Sequence, residues 1–307
     1  MHPKHLKFKK LADKSFKSLT KAMALLSASF ICIIVVFIVI KGIAPFLPNY
    51  AYGQQNVWSF LVGNTYRQDQ GVYGVGFIII NTIIACVAAL FIAFPISVLT
   101  ALFIVKIAPK KLGHIIESVI ELLASIPSVV YGVFASGVIC QAVANLATMF
   151  SVTTYGGSSL LAVILVLAIM IFPTLTSMSV TAIKAVDINL EQASLALGAT
   201  VTQTNFKIIL TSAKSGIFAG AILGLGRAFG EASAVAMVAG NKLFGPTFNL
   251  FDITRTLTST MLVGLKETSG LDYDIRFSVG LVLIVLIFVS NGILNAIKKR
   301  IGSGYEA

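Results

Sequence analysis

Apolar residues in this chain come in long blocks separated by shorter polar stretches, and block length decides the element type. About 20 apolar helical residues cross the ~30 Å hydrocarbon core of a bilayer. Six blocks are long enough: 22–41, 75–105, 116–139, 159–180, 216–240 and 277–297. The pattern predicts an all-α integral membrane protein with six transmembrane helices. The second block would make a straight helix of roughly 46 Å, so it must tilt or bend. Pro95 is the expected bend, because it removes one backbone donor and crowds the preceding turn.

Composition agrees with this reading. With 57% hydrophobic and 11% charged residues over 307 positions, there is too little polar surface to cover a water-soluble fold of this size. A formal charge of +11 raises the possibility of a nucleic-acid partner, but the cations lie at span ends. Lys4, Lys7, Lys9, Lys10, Lys14, Lys17 and Lys21 precede the first block, and Lys298, Lys299 and Arg300 follow the last. The positive-inside rule then puts both termini in the cytoplasm, which requires an even number of crossings. Six crossings place 16 of the 23 Lys and Arg residues inside. Arg67, Lys242, Arg255 and Lys266 fall outside, with Lys41 and Arg276 at the outer edge. The first block lacks a small-residue cleavage site, so it is expected to stay as an anchor.

Cys32, Cys86 and Cys140 lie in or beside apolar runs without C-x-x-C spacing, and they are expected to act as small packing residues. His2, His5 and His114 are scattered near basic ends, so no metal site is expected. The outer segments 42–74 and 241–274 carry turn residues and aromatics, among them Tyr50, Tyr52, Trp58, Phe60 and Tyr66. An interfacial aromatic belt is the favoured role for these rings over docking of a partner.

The polar loop 182–214 separates the fourth and fifth blocks. Asn189 with Gln192, and Thr200 with Gln203, have helix-start capping spacing, and Gly198 suits a left-handed stop between them. Two short helices at an angle are predicted. Leu190, Ala193, Ser194 and Leu197 fall at i, i+3, i+4 and i+7, a narrow face of small and apolar groups. Such a face can dock on another protein or pack on the inner ends of the spans.

The fifth block carries Arg227, 13 residues from both Lys214 and Gly240, which on one helix is roughly 20 Å from either end. Charges at such depth almost always face protein or a watery path. Glu231 at i+4 shares the predicted helix face and is placed for a charge-assisted hydrogen bond. Two roles fit the pair: a buried ion pair fixing helix register, or an arginine that meets an anion in transit while the glutamate limits how tightly it holds. Gly216, Gly220 and Gly224 recur every four residues, as do Gly226 and Gly230, a spacing for close helix contact. Gly224-Leu225-Gly226 with Gly230 lies within an apolar helix with no preceding strand, and the chain has no G-x-x-x-x-G-K-[ST], so it cannot itself hydrolyse ATP.

The loop reads E-Q-A-S-L-A-L-G over Glu191 to Gly198, then nine residues, then Ile208-Ile209-Leu210. This resembles the coupling loop of ABC importer permeases, Glu-Ala-Ala, three residues, Gly, nine residues, Ile-x-Leu-Pro. Gln192, Ala193 and Ser194 stand for Glu-Ala-Ala, with Gly198, Ile208 and Leu210 in register. Gln192 replaces the Glu and Thr211 the Pro, and Glu191 is a candidate for the missing carboxylate. Three further segments, Glu121 to Phe134, Gly156 to Ala162 and Gly224 to Asn241, resemble the PstC-type permeases of phosphate-specific importers.

The resemblance implies a type I ABC permease (MetI-like) core over 75–297. Around it lie a basic N-terminus (1–21), the first helix (22–41), an extracytoplasmic segment (42–74) and a cytoplasmic tail (298–307). It further implies a heterodimer with a PstA-type permease, two copies of a PstB-type ATPase and a PstS-type phosphate-binding protein, in the bacterial cytoplasmic membrane. ATP and Mg would be used by the ATPase, with no cofactor bound by this chain. The implied contact with the ATPase is the face Leu190, Glu191, Gln192, Ala193, Ser194, Leu197 and Gly198 with Ile208 and Leu210. The implied pathway residues are Arg227 and Glu231. Two alternatives remain open: a permease for another oxyanion such as molybdate or sulfate, and an ion-coupled secondary transporter, for which neither a coupling-ion site nor an inverted repeat is found.

Overall fold

The computed structural model describes residues 3–302, so Met1, His2 and 303–307 of the expected tail lie outside the described residues. Among the described residues six helical stretches are long and apolar enough to cross a membrane: Asp13–Phe46, Gly76–Ile107, Ser128–Met149, Leu160–Lys184, Val201–Gly230 and Leu271–Arg300. The number agrees with the hydropathy pattern. Several boundaries do not.

The basic N-terminal stretch is continuous with the first span in one helix, Pro3–Ile43, because its Lys, Leu and Ala residues are good helix formers and Pro3 suits a first turn. The second helix, Gly76–Leu102, runs through Pro95 and closes in a wide π-turn, Phe103–Ile107. The third span is displaced from the expected 116–139. An amphipathic helix, Lys110–Ser125, ends at Ile126, whose extended backbone (φ −65°, ψ 129°) is what a following proline imposes. The crossing begins only at Ser128.

The fourth span, Leu160–Lys184, starts from Ser159, whose Oγ accepts the Ala162 N–H at 3.2 Å. It is the centre of the bundle: 67% of its apolar window is buried, against none of the first span's. Val163, Leu167, Met170 and Ile171 join a core with Ile78, Ala85 and Ala89 of the second span and Leu225 and Ala228 of the fifth. Towards the other end, Leu175 and Ile183 meet Ala101, Leu102 and Ile217. Cys86 and Cys140 are buried as expected, whereas Cys32 is exposed on the first span.

The glycine stripe on the fifth span divides. A methyl added at Gly216 would lie 2.6 Å from Ala182 Cβ, and one at Gly220 2.9 Å from Met178 Cβ. The glycines therefore set the helix separation. A methyl at Gly226 or Gly230 meets nothing within 4 Å among the described residues, so these two make no close helix contact within this chain. Gly216→Val is expected to destabilise the purified protein by about 1–3 kcal/mol through overpacking, while Gly226→Ala, at an open helical position, should raise stability by roughly 0.4–1 kcal/mol.

The two outer segments form one cap. The hairpin Tyr66–Arg67 with Val72–Tyr73 continues into the second segment through Tyr66 N–H to Leu243 O, 2.8 Å, and Gly245 N–H to Asn64 O, 2.7 Å. Phe60 and Tyr66 are buried inside this cap and are not belt residues, while Trp58 and Tyr52 are exposed. Lys41 at the end of the first span pairs with Asp274 at the start of the sixth, 3.2 Å. At the opposite end Lys184 pairs with Glu117, 2.6 Å.

Candidate functional site

The loop between the fourth and fifth spans is built by local capping. Asp187 Oδ1 accepts the Asn189 N–H at 2.9 Å and starts the helix Ile188–Ala196. The expected cap at Asn189 is thus corrected by two positions, since the chain leaves the fourth span in time for Asp187 to take the role. Gly198, at φ +85°, ends this helix in the left-handed region. Thr200 and Gln203 then form the expected reciprocal box: Thr200 N–H to Gln203 Oε1, 2.9 Å, and Gln203 N–H to Thr200 Oγ1, 3.2 Å. The helix it starts is not short. It passes through a wide π-turn, Thr204–Ile209, directly into Leu210–Gly230.

The helix Ile188–Ala196 is fastened on one side only. Lys106 Nζ meets Glu191 Oε2 at 2.6 Å, and the hydroxyls of Ser194 and Thr204 share a hydrogen bond of 2.9 Å. Glu191 is therefore paired within this chain, on the side of the helix that faces Lys106. Leu210 packs on the inner core and Ile208 is half-buried. Leu190, Gln192 and Ala193 are exposed, and Leu197 is 90% exposed. The predicted face thus divides: Ser194 turns inward, and Leu190, Ala193 and Leu197 are left uncovered by this chain.

Arg227 occupies the last turn of the fifth helix, not the middle of a helix reaching residue 240. Its Nη1 donates to Thr174 Oγ1 at 2.8 Å. A cation there is favoured by the negative end of the helix dipole. The helix stops at Gly230, and Glu231 takes extended backbone (ψ 113°) before a short helix, Ser233–Val238. The expected hydrogen bond between Arg227 and Glu231 is not formed, because the break carries Glu231 off the face where an i+4 contact would lie. Instead Glu231 Oε1 accepts the Ala234 N–H at 3.0 Å, and its carbonyl accepts the Thr258 hydroxyl at 2.7 Å. Glu231 is 8% exposed. Irregular backbone among spans is tolerated where protein buries it or where it lines a wet path, and here Thr258 and the Ser233–Val238 helix satisfy it.

Sequence reasoning missed Thr174 and Lys106, the side chains that hold Arg227 and the loop helix. Thr174, a hydroxyl beside Pro173 in an apolar run, was the available signal. It also passed over Arg255 in the cap. This guanidinium stacks 4.8 Å from the centre of the Tyr66 ring and is 6% exposed. Burial pushes its pKa down, and Arg276 adds to this, against the opposing effect of Tyr66. Burial likewise raises the Tyr66 phenol, opposed by Arg276 and Arg255.

Residues 93–303 match the family described as binding-protein-dependent transport system inner membrane component. The chain is 33% identical over 286 residues to the probable ABC transporter permease protein YqgH of Bacillus subtilis, covering 92% of this chain and 90% of that one. It is 31% identical to the phosphate transport system permease protein PstC of Pasteurella multocida, over 80% of this chain and 82% of the relative. Among solved structures, a bacterial alginate ABC importer subunit superposes with a TM-score of 0.64 at 18% identity, covering 96% of this chain and 99% of that one. The MetNI methionine transporter in an inward-facing form gives 0.52 at 20% identity, over 74% and 94%. These two show the shared fold. The chain therefore belongs to the family of binding-protein-dependent transport system inner membrane components and is the permease subunit of an ABC importer.

Proposed function

We propose that this chain is the PstC-type permease of a phosphate importer. In this reading it lies in the bacterial cytoplasmic membrane with both termini inside and forms half of the translocation pathway with a PstA-type partner. A PstB-type ATPase dimer docks on Leu190, Gln192, Ala193 and Leu197, and a PstS-type binding protein delivers phosphate to the outer cap. ATP and Mg are used by the ATPase alone. The relatives named as phosphate permeases, at 28–32% identity over most of the chain, support the substrate.

One observation carries the mechanism. The helix capped at Thr200, directly after Gly198, is the same continuous span, Val201–Gly230, that ends with Arg227. Thirty residues of helix reach about 45 Å, so displacement of the loop helix by closing ATPases is passed along one rigid element to the guanidinium. Arg227 offers a permanently charged planar fork that suits phosphate oxygens. Glu231 sits at the adjacent helix break, where movement of the span changes its distance from Arg227. A site that alternates in this way binds in one state and releases in the other.

The deciding experiment is radiolabelled phosphate uptake by the reconstituted complex, with sulfate and molybdate as competitors. Uptake is expected to require the ATPase and the binding protein and to resist a tenfold excess of either competitor. Strong competition by molybdate or sulfate assigns a different oxyanion. Uptake without the ATPase would overturn the reading in favour of a secondary transporter.

A further inference from the structure

Arg255 is a buried cation without a counter-charge. Its Nε and Nη1 have no hydrogen-bond partner among the described residues, and no carboxylate there lies within ion-pair distance. The neighbourhood has surplus donors. The hydroxyl of Tyr66, the ring on which the guanidinium stacks, is likewise buried and unpartnered, as are Arg67 Nε on the same strand and Gln68 Nε2 on the turn that follows. Asp272, the nearby carboxylate, accepts the Tyr73 hydroxyl. Arg276 Nη1 donates to the carbonyls of Thr260, Met261 and Val263 at the end of the helix Leu257–Leu262, while its Nε is a further buried donor without a partner. Stacking on Tyr66 offsets part of the burial cost, but it leaves the N–H groups unsatisfied, and an unpaired buried charge is strongly destabilising.

We infer that Arg255, with Tyr66, forms an oxyanion site in the outer cap, separate from Arg227. An anion supplies both missing elements: negative charge and several acceptors. The unpartnered donors come from separate elements, the Arg255 guanidinium, the Tyr66 hydroxyl and Arg276 Nε, and a tetrahedral oxyanion presents acceptors in several directions where a planar carboxylate presents two in one plane, so the ligand class is a small tetrahedral oxyanion. That it is inorganic phosphate rests on the function proposed above, whereas the anion chemistry does not. Such a site would hold an ion after it leaves the binding protein and before it meets Arg227.

The test is equilibrium binding of radiolabelled phosphate, and separately of sulfate, to the assembled complex in lipid nanodiscs without nucleotide or binding protein. Wild type should bind saturably, and Arg255→Gln should weaken binding about tenfold or more, the effect of losing one charged hydrogen bond. The comparison is made in an Arg227→Gln background, which removes the proposed inner contact, so that the saturable binding that remains should depend on Arg255. Thermal unfolding without anion checks that Arg255→Gln is assembled. Should it fail to assemble, Arg255→Lys decides, because it keeps the charge but rearranges the donors and is expected to bind at least fivefold more weakly. Sulfate binding that depends on Arg255 while phosphate does not bind would keep the site and remove the phosphate reading. Binding unchanged in the Arg255 variant, or no anion binding by wild type, overturns the inference and leaves Arg255 as a stacking residue of the cap.

Discussion

Replacing Arg227 by Ala is expected to lower phosphate uptake by the assembled complex by roughly 10- to 150-fold, the range that corresponds to losing a charged hydrogen bond of about 1.5–3 kcal/mol. Arg227→Lys should recover only part of the activity, since an ammonium keeps the charge but not the planar fork. Glu231 has a different consequence because it does a different job. Its Oε1 holds the Ala234 N–H, so Glu231→Ala should cost about 1 kcal/mol of stability, as loss of a helix cap does. Glu231→Gln keeps an acceptor at that position and should fold normally while still altering transport. Because Arg227 donates to Thr174 and not to Glu231, a double-mutant cycle on thermal stability should show coupling under about 0.5 kcal/mol. Coupling well above that would restore a resting ion pair. Uptake unaffected by Arg227→Ala would remove it from the pathway and leave it a helix-end anchor.

The two halves of this site were unequally legible. Hydropathy finds six crossings because block length is a property of the local sequence and the membrane sets one threshold for all of them. The same pattern is blind to a break between two helical pieces of similar hydropathy. Hydropathy therefore places the third span across Pro127 and carries the fifth through Gly230. At Ile126 the signal was present in the sequence, since the residue before a proline avoids helix. At Glu231 it was not, because the break is stabilised by the Thr258 hydroxyl reaching the Glu231 carbonyl from 27 residues away. The loop was read better where its determinants are local: Gly198 and the Thr200–Gln203 box stand as expected. The choice of Asp187 over Asn189 depends on where the fourth span ends. The glycines show the same limit. Periodicity identifies a small-sided helix but does not say which side faces a neighbour: Gly216 and Gly220 pack tightly within this chain, while Gly226 and Gly230 face none of the described residues.

Leu197→Glu should abolish ATP-driven uptake while leaving the permease folded. Leu197 is 90% exposed, and it follows a helix held to the rest of the chain through Glu191 and Ser194 on another side. A substitution at such a position is expected to change stability by no more than about 0.5 kcal/mol. In the proposed complex the same side chain is buried against the ATPase. Fully burying a leucine contributes about 1.5–3 kcal/mol, and placing a carboxylate there adds a desolvation cost. ATPase affinity should therefore fall by more than roughly 10- to 150-fold, enough to lose the subunit during purification. Ala193→Glu, on the same uncovered face, should behave alike. Thr202→Glu, an exposed position just beyond Gly198 and outside the predicted face, should retain the ATPase. If all three variants keep the ATPase and transport normally, the uncovered face is not where the power stroke enters. The long helix ending at Arg227 would then need another source of motion.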